Sequence, residues 1–315
     1  MSNANAHSMS PSAVGPTSPP SLPVPWLGRL FLQEDLNFLL TNRIPRRLTT
    51  QLGGWFSRLR NPVLARASIA VWRRFAHVNL DEAAQVEYRS LHECFIRELK
   101  PGTRPIDPDP ATVVSPCDAI VGAHGRVDGE RLFQTKGFPY TLTDLLVDPA
   151  LVQRYRDGAY VTLRLTSGMY HRFHAPGALT VDRVTYVSGD TWNTNPIAVS
   201  RVEKLFCKNE RAIIETRLEG PGGAEHPVTL VAVASMLVAS MRFTFVDVLL
   251  HLRYRGPNVI PCQARFDRGE QLGWFEMGST IIVFAPAGFA PGAGIQQGQV
   301  VRMGQPLLRM PGAHR

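Results

Sequence analysis

From Val113 onward the chain is a succession of short β-like runs punctuated by glycine and proline, and this texture restricts the fold more than any other feature. The runs lie at 112–115, 119–121, 131–134, 160–165, 179–187, 211–216, 228–234 and 281–285. Helical signals among them are sparse. Thr141-Leu142-Thr143-Asp144 caps a short helix, and Pro149–Tyr155 makes another. The pattern predicts an α+β domain with a mostly antiparallel β core. The tail at 298–308 reads as a hairpin closing that core, and no internal repeat is visible.

The stretch before Val113 has a different character. Between Trp26 and His77 there are nine arginines, Arg29, Arg43, Arg46, Arg47, Arg58, Arg60, Arg66, Arg73 and Arg74, against Glu34 and Asp35. That is 9 − 2 = +7 of a net charge of +8, so the remaining chain is nearly neutral. Apolar residues recur at helical steps, as in Leu52-Trp55-Phe56-Leu59. The spacing predicts short amphipathic helices broken at Pro45, Gly53-Gly54 and Pro62. Aromatic residues on one face and arginines on the other suit a helix lying in a membrane interface, where each basic residue near an anionic surface contributes roughly 1 kcal/mol. No nucleic-acid motif accompanies the arginines, so nucleic acid is not an expected partner. Ser90-Leu91-His92-Glu93 is a capping box that opens a helix running to about Leu99. An N-terminal amphipathic helical segment at 26–100 therefore precedes a β-rich domain at 101–315.

At 315 residues and 44% hydrophobic content the chain can bury a full core. No run of 18 apolar residues is present, so no membrane-spanning helix is expected. Residues 1–25, rich in Ser, Pro, Asn and Ala, read as a disordered tail without the features of a secretory signal. Cys94, Cys117, Cys207 and Cys262 are far apart and read as reduced thiols.

Three places could carry chemistry. Gly278-Ser279-Thr280 sits between two strand-like runs, and a serine after glycine is open to self-attack on the glycine carbonyl. It is equally an ordinary turn tripeptide. Asp118, in Ser115-Pro116-Cys117-Asp118, either caps a turn or orients a histidine. Tyr170-His171-Arg172-Phe173-His174 places two histidines three apart beside an arginine. No third Cys or His ligand stands near them, so no metal is expected. Lys136 lacks a surrounding phosphate loop and is assigned no role.

Taken in order, these pieces resemble the phosphatidylserine decarboxylase family from about Tyr88 to Leu308. The resemblance rests on the run from Ser90 to Arg97, Arg104-Pro105-Ile106-Asp107, Ser115-Pro116-Cys117-Asp118, Lys136-Gly137 with Tyr140-Thr141-Leu142, Tyr170-His171-Arg172-Phe173-His174-Ala175-Pro176, Asn209-Glu210-Arg211, and Arg268-Gly269-Glu270-Gln271-Leu272-Gly273 leading into Gly278-Ser279-Thr280. It departs from the family at Ala119, where glycine is usual, at Met169, where aspartate is usual, and at the alanines of 233–240. The resemblance implies self-cleavage between Gly278 and Ser279 into a beta chain (1–278) and an alpha chain (279–315), with Ser279 converted to a covalent pyruvoyl cofactor. It further implies decarboxylation of phosphatidylserine to phosphatidylethanolamine and CO2 through a Schiff base with that group.

By the same resemblance His174 is the base that activates Ser279 and Asp118 orients it; His171 is the candidate for contacting the substrate carboxylate or handling the proton, with His174 the alternative. The expected setting is peripheral, on the cytoplasmic face of a cell membrane, with a phospholipid as partner and a homodimer as the implied assembly. Two other readings stand beside this one: a pyruvoyl-dependent decarboxylase of a soluble amino acid, and a non-enzymatic membrane-surface module.

Overall fold

The structure is a computed structural model, and it describes residues 46–76, 78–133, 138–235, 240–251, 254–276 and 279–312. The tail at 1–25, the rest of the basic segment through Pro45, Lys136 and Gly278 lie outside the described residues. The described chain opens with α1 (Arg46–Ser57), α2 (Pro62–Ala76) and α3 (Leu91–Phe95). Next come β1 (Thr112–Val114), β2 (Ala119–Arg126), β3 (Arg131–Phe133), β4 (Pro139–Thr141), α4 (Leu142–Leu146) and α5 (Pro149–Tyr155). The middle holds β5 (Ala159–Leu165), β6 (Arg172–His174), β7 (Leu179–Val187), α6 (Pro196–Val199), α7 (Leu205–Lys208), β8 (Arg211–Glu219) and β9 (Glu225–Ala234). The chain closes with β10 (Ser240–Phe243), β11 (Leu249–His251), β12 (Val259–Phe266), β13 (Gln271–Phe275), β14 (Ser279–Ala285), β15 (Ala290–Pro291), β16 (Val300–Val301) and β17 (Pro306–Arg309).

An eight-stranded sheet in the order β12-β7-β8-β9-β14-β5-β2-β16 forms the backbone of the molecule. A four-stranded sheet, β11-β10-β13-β6, packs against one face, and smaller sheets β1-β17-β15 and β3-β4 complete it. The ladders are antiparallel throughout, as the β-run texture predicts. Alternation along β14 shows how the two faces are filled. Ile281, Val283 and Ala285 join the core shared with Phe173, Met241, Phe243 and Phe275 of the smaller sheet. Ile282 and Phe284 join the core beneath α4 and α5 with Leu145, Leu151 and Tyr155.

Several local expectations change. Gly53 and Gly54 do not break α1, which runs through them to Ser57; glycine in a helix interior costs only about 1 kcal/mol, less than a packed helix recovers. The helix capped by Ser90 ends at Phe95, and Leu99 instead bridges Ala83. The tail strands do not pair as a hairpin. β16 joins β2, while β17 lies between β1 and β15. Strand β12 was masked in the sequence by Pro261, which the structure tolerates because β12 is the edge of its sheet. Gly273 in β13 is required by packing, because a Cβ there would meet the Arg242 carbonyl oxygen at 2.2 Å and the Phe173 ring at 2.8 Å.

The helices α1 and α2 look outward. Trp55 is 64% exposed and Phe75 62%, with Leu52, Val63 and Val71 also exposed. No helix among the described residues is long and apolar enough to cross a membrane. All four cysteines are unpaired.

Candidate active site

Ser279 is the first residue of β14, between Leu165 on β5 and Ala234 on β9. The Ala234 amide donates to the Glu210 carbonyl (2.9 Å), so Leu165, Ser279, Ala234 and Glu210 form one row across the end of the large sheet. Ser279 is in phase with Ile281 and so faces the smaller sheet. Its side chain is fully buried (0% exposed) and its Oγ has no hydrogen-bond partner. Burying a hydroxyl unpaired costs about 1–3 kcal/mol. Thr280, pointing to the opposite face, also leaves its Oγ1 unpartnered.

The two histidines lie at the smaller sheet's edge strand, β6: His171 just before it and His174 as its last residue. His174 pairs with Gln271 in the β6–β13 ladder. Just before the strand, the His171 carbonyl accepts from the Phe275 amide at 3.0 Å. Both rings direct Nδ1 at a backbone carbonyl: His171 at Met169 (2.8 Å) and His174 at Gly269 (2.9 Å). A carbonyl only accepts, so each neutral ring carries its proton on Nδ1 and presents a basic Nε2. Burial pushes the pKa of both below the usual value, that of His171 to about 3, so both are neutral near pH 7. The Nε2 atoms then differ. Tyr170 donates its hydroxyl to that of His174 at 3.0 Å, while that of His171 is buried without a partner. His171 packs on Phe95, ring centroids 4.0 Å apart. Phe95 in turn lines an apolar groove of about 460 Å³ between α1, α2 and α3, with Phe56, Leu64, Trp72 and Leu91.

Asp118 lies immediately before β2. Its carboxylate accepts from Arg104 Nε at 2.9 and 3.1 Å, and from the Met303 amide at 2.9 Å. The turn that presents this amide needs Gly304, whose φ is +88°. Arg104 also pairs with Glu82 at 2.8 Å. No hydrogen bond links Asp118, His174 and Ser279 to one another. Asp118 reaches His174 only through its charge, which favours the protonated ring. Among the described residues, no cluster of three His, Cys, Asp or Glu side chains is placed to hold a metal ion.

Sequence reasoning assigned no role to two buried glutamates beside this site, although one of them, Glu210, stands in the Asn209-Glu210-Arg211 piece. Glu276, just after β13, accepts from Arg58 just beyond α1 (2.8 Å), from Trp274 Nε1 (3.2 Å) and from His92 on α3. Burial raises its pKa, but His92 and Arg58 outweigh that and hold it at about 2. Glu210 is fully buried and neither carboxyl oxygen has a hydrogen-bond partner. Burial pushes its pKa up to about 8, opposed in part by the nearby Tyr186 hydroxyl, which is committed to the His251 carbonyl at 2.9 Å. The available signal for Glu210 was a lone acid one residue ahead of the strand's apolar run 212–214, with Arg211 between.

A family model described as phosphatidylserine decarboxylase matches residues 91–309. The chain is 38% identical over 277 residues to a phosphatidylserine decarboxylase proenzyme of Anaeromyxobacter sp. (strain K), covering 84% of this chain and 94% of that protein. It is 31% identical over 285 residues to the proenzyme of that name from Dickeya dadantii (strain 3937), covering 87% and 92%. With the Shewanella baltica (strain OS155 / ATCC BAA-1091) proenzyme it shares 32% over 291 residues, covering 88% and 97%.

Proposed function

The chain belongs to the phosphatidylserine decarboxylase family, and from that premise we propose that it cleaves itself at Ser279 and then converts phosphatidylserine to phosphatidylethanolamine and CO2. The observation that carries this reading is Ser279 Oγ, buried and unpartnered at the head of a central strand. In maturation this oxygen attacks the Gly278 carbonyl carbon. The Gly278–Ser279 C–N bond breaks, an ester forms, and the hydroxyl proton ends on the freed amine. Loss of the Ser279 α-proton then breaks the Cβ–Oγ bond and expels the Gly278 carboxylate. Water hydrolyses the remaining enamine through its imine tautomer, releasing ammonia and leaving a pyruvoyl group at position 279. The products are 1–278 and 279–315.

The residues present fit such a group. Neither Ala234 nor Leu165, the row neighbours of Ser279, offers a side-chain hydrogen bond to compete for it. The pyruvoyl carbonyl supplies the electron sink that α-decarboxylation of an amine requires. His174 is the base for Ser279, acting at Nε2 once the Tyr170 hydroxyl turns away. Asp118 strengthens that base through its charge. His171 handles the substrate's proton: its free Nε2 passes one to the α-carbon after CO2 leaves. A low-pKa imidazole, once protonated, is a strong acid suited to protonating carbon.

The helical part at 26–100 is the membrane-contacting region and 101–315 the catalytic one. The exposed apolar residues of α1 and α2 lie among arginines, as at a peripheral site on an anionic cytoplasmic membrane face. The apolar groove one ring away from His171 suits a substrate that is mostly hydrocarbon. The test offers purified protein phosphatidylserine in vesicles and, separately, a panel of free amino acids. CO2 release from the lipid alone is expected. Release from a free amino acid alone overturns the lipid assignment.

A further inference from the structure

Arg97 is a buried cation without an anion. It is 4% exposed, and no carboxylate lies within salt-bridge distance of it among the described residues. Its Nη2 donates to the carbonyls of Gly168 (3.0 Å) and Met169 (3.3 Å), its Nη1 reaches Cys94 at a long 3.4 Å, and its Nε has no partner. Arg211 shows what a structural buried arginine looks like in this fold. Its Nε, Nη1 and Nη2 all donate to carbonyls, of Leu145 (2.8 Å), Cys207 (2.6 Å) and Asp144 (3.0 Å) respectively. Arg97 is under-supplied by comparison.

Arg97 also lines a cavity of about 540 Å³ between the end of α2 and the loop carrying Tyr170. The other charges in its wall are already matched. Arg104 pairs with Asp118 and Glu82, and Arg302 pairs with Glu82 at 3.2 Å. Three arginines therefore face two carboxylates, and the surplus charge is that of Arg97. Phe75 and Val300, both exposed, form an apolar rim. The floor adjoins the chemistry, because the Met169 carbonyl that accepts from Arg97 is the one that accepts from His171 Nδ1. An anion seated on Arg97 is thus held one carbonyl away from His171.

We propose that this cavity is a subsite for a phosphodiester, with Arg97 as its anchoring cation and the lipid substrate's headgroup phosphate as its occupant. The proposal rests on the phosphatidylserine reading above. The substrate's other anion, its α-carboxylate, is the poorer fit. It loses its charge as CO2 forms, so a guanidinium on it would stabilise the ground state more than the transition state. A phosphodiester keeps its charge throughout, so holding it lowers KM without changing kcat.

That split is the test. Self-cleaved wild-type protein, Arg97→Lys and Arg97→Met are assayed with phosphatidylserine in mixed micelles, with glycerophosphoserine and inorganic phosphate as competitors. Cleavage into two chains reports that each variant has folded. Arg97→Met is expected to raise KM about ten- to hundredfold with kcat within a few fold, as for loss of one charge-assisted hydrogen bond. Arg97→Lys should fall between, and glycerophosphoserine should compete with wild type and lose potency against Arg97→Met. Unchanged KM with reduced kcat, or equal competition in wild type and variant, overturns the subsite. Competition by inorganic phosphate with no KM change makes free phosphate the ligand and overturns the headgroup assignment. Should Arg97→Met fail to cleave, failure of glycerophosphoserine to compete with wild type overturns the proposal, and competition there weakened in Arg97→Lys supports it. Absence of wild-type turnover on phosphatidylserine would instead refute the functional reading beneath it.

Discussion

The β core and the helical layer solve opposite problems. In the core, strands β14, β9, β8 and β5 bury nearly every side chain, and several of the buried polar atoms left unpaired gather around one end, among them Ser279 Oγ, His171 Nε2 and both Glu210 oxygens. In α1 and α2 the large apolar side chains are the ones left uncovered, Leu52, Trp55, Val71 and Phe75. Unpaired polar atoms inside and unpaired apolar groups outside are both unfavourable in an isolated fold. Their separation divides labour, with bond-making in the core and lipid contact in the helices. The two meet at Glu276, three residues before Ser279, where Arg58, just past the end of α1, and His92 of α3 close on a carboxylate emerging from β13.

The sharpest break between the regions is Ser279→Ala. It should abolish both self-cleavage and CO2 release, seen as a single band on a denaturing gel, while vesicle binding persists. Next, His171→Gln should still cleave but decarboxylate roughly 10²- to 10⁴-fold more slowly, whereas His174→Gln should stay uncleaved. A paired change on the outer face, Leu52→Ser with Trp55→Ser, should weaken co-sedimentation with anionic vesicles about ten- to hundredfold and leave the extent of self-cleavage unaltered. Loss of cleavage in that variant would erase the division of labour.

The buried glutamates give smaller, pH-dependent effects. Glu210 holds its proton more tightly in the folded state, to about pH 8, than its ordinary value of 4.5. Its contribution is therefore fully present below pH 4.5 and lost as pH rises to about 8, by about 1.4 kcal/mol per unit at most. Glu210→Gln, placed in the uncleavable Ser279→Ala background to keep one chain, should flatten that slope in urea midpoints. Glu276 behaves oppositely. With a pKa near 2, its contribution is present above 4.5 and lost as pH falls through about 2. Glu276→Gln should destabilise by only about 1–2 kcal/mol at neutral pH, because Arg58 is half exposed and regains water.

The β core was legible because its strands are short, apolar and separated by glycine and proline, and β7 is read at its full extent, Leu179–Val187. Strand β12 was not, because Pro261 is a poor local strand former whose place is set by an edge, and β13 was visible only as the strand-like run before Gly278, its Gly273 being set by a close approach to Phe173. Asp118, His171, His174 and Ser279 were visible as residue types in order. Their partners were not. Tyr170 on His174, Arg104 on Asp118 and Arg58 on Glu276 depend on contacts across 4, 14 and 218 residues, which no local pattern encodes. The same holds for Arg97, whose significance is the carboxylate it lacks.

The most direct measurement is intact mass spectrometry of the purified wild-type protein under denaturing conditions. Two chains should appear, 1–278 and 279–315, the smaller one resistant to N-terminal sequencing and lighter by the elements of ammonia than simple hydrolysis would leave it. A single uncleaved chain with an ordinary serine at 279, in a preparation that releases CO2 from phosphatidylserine, would contradict the central role given to Ser279.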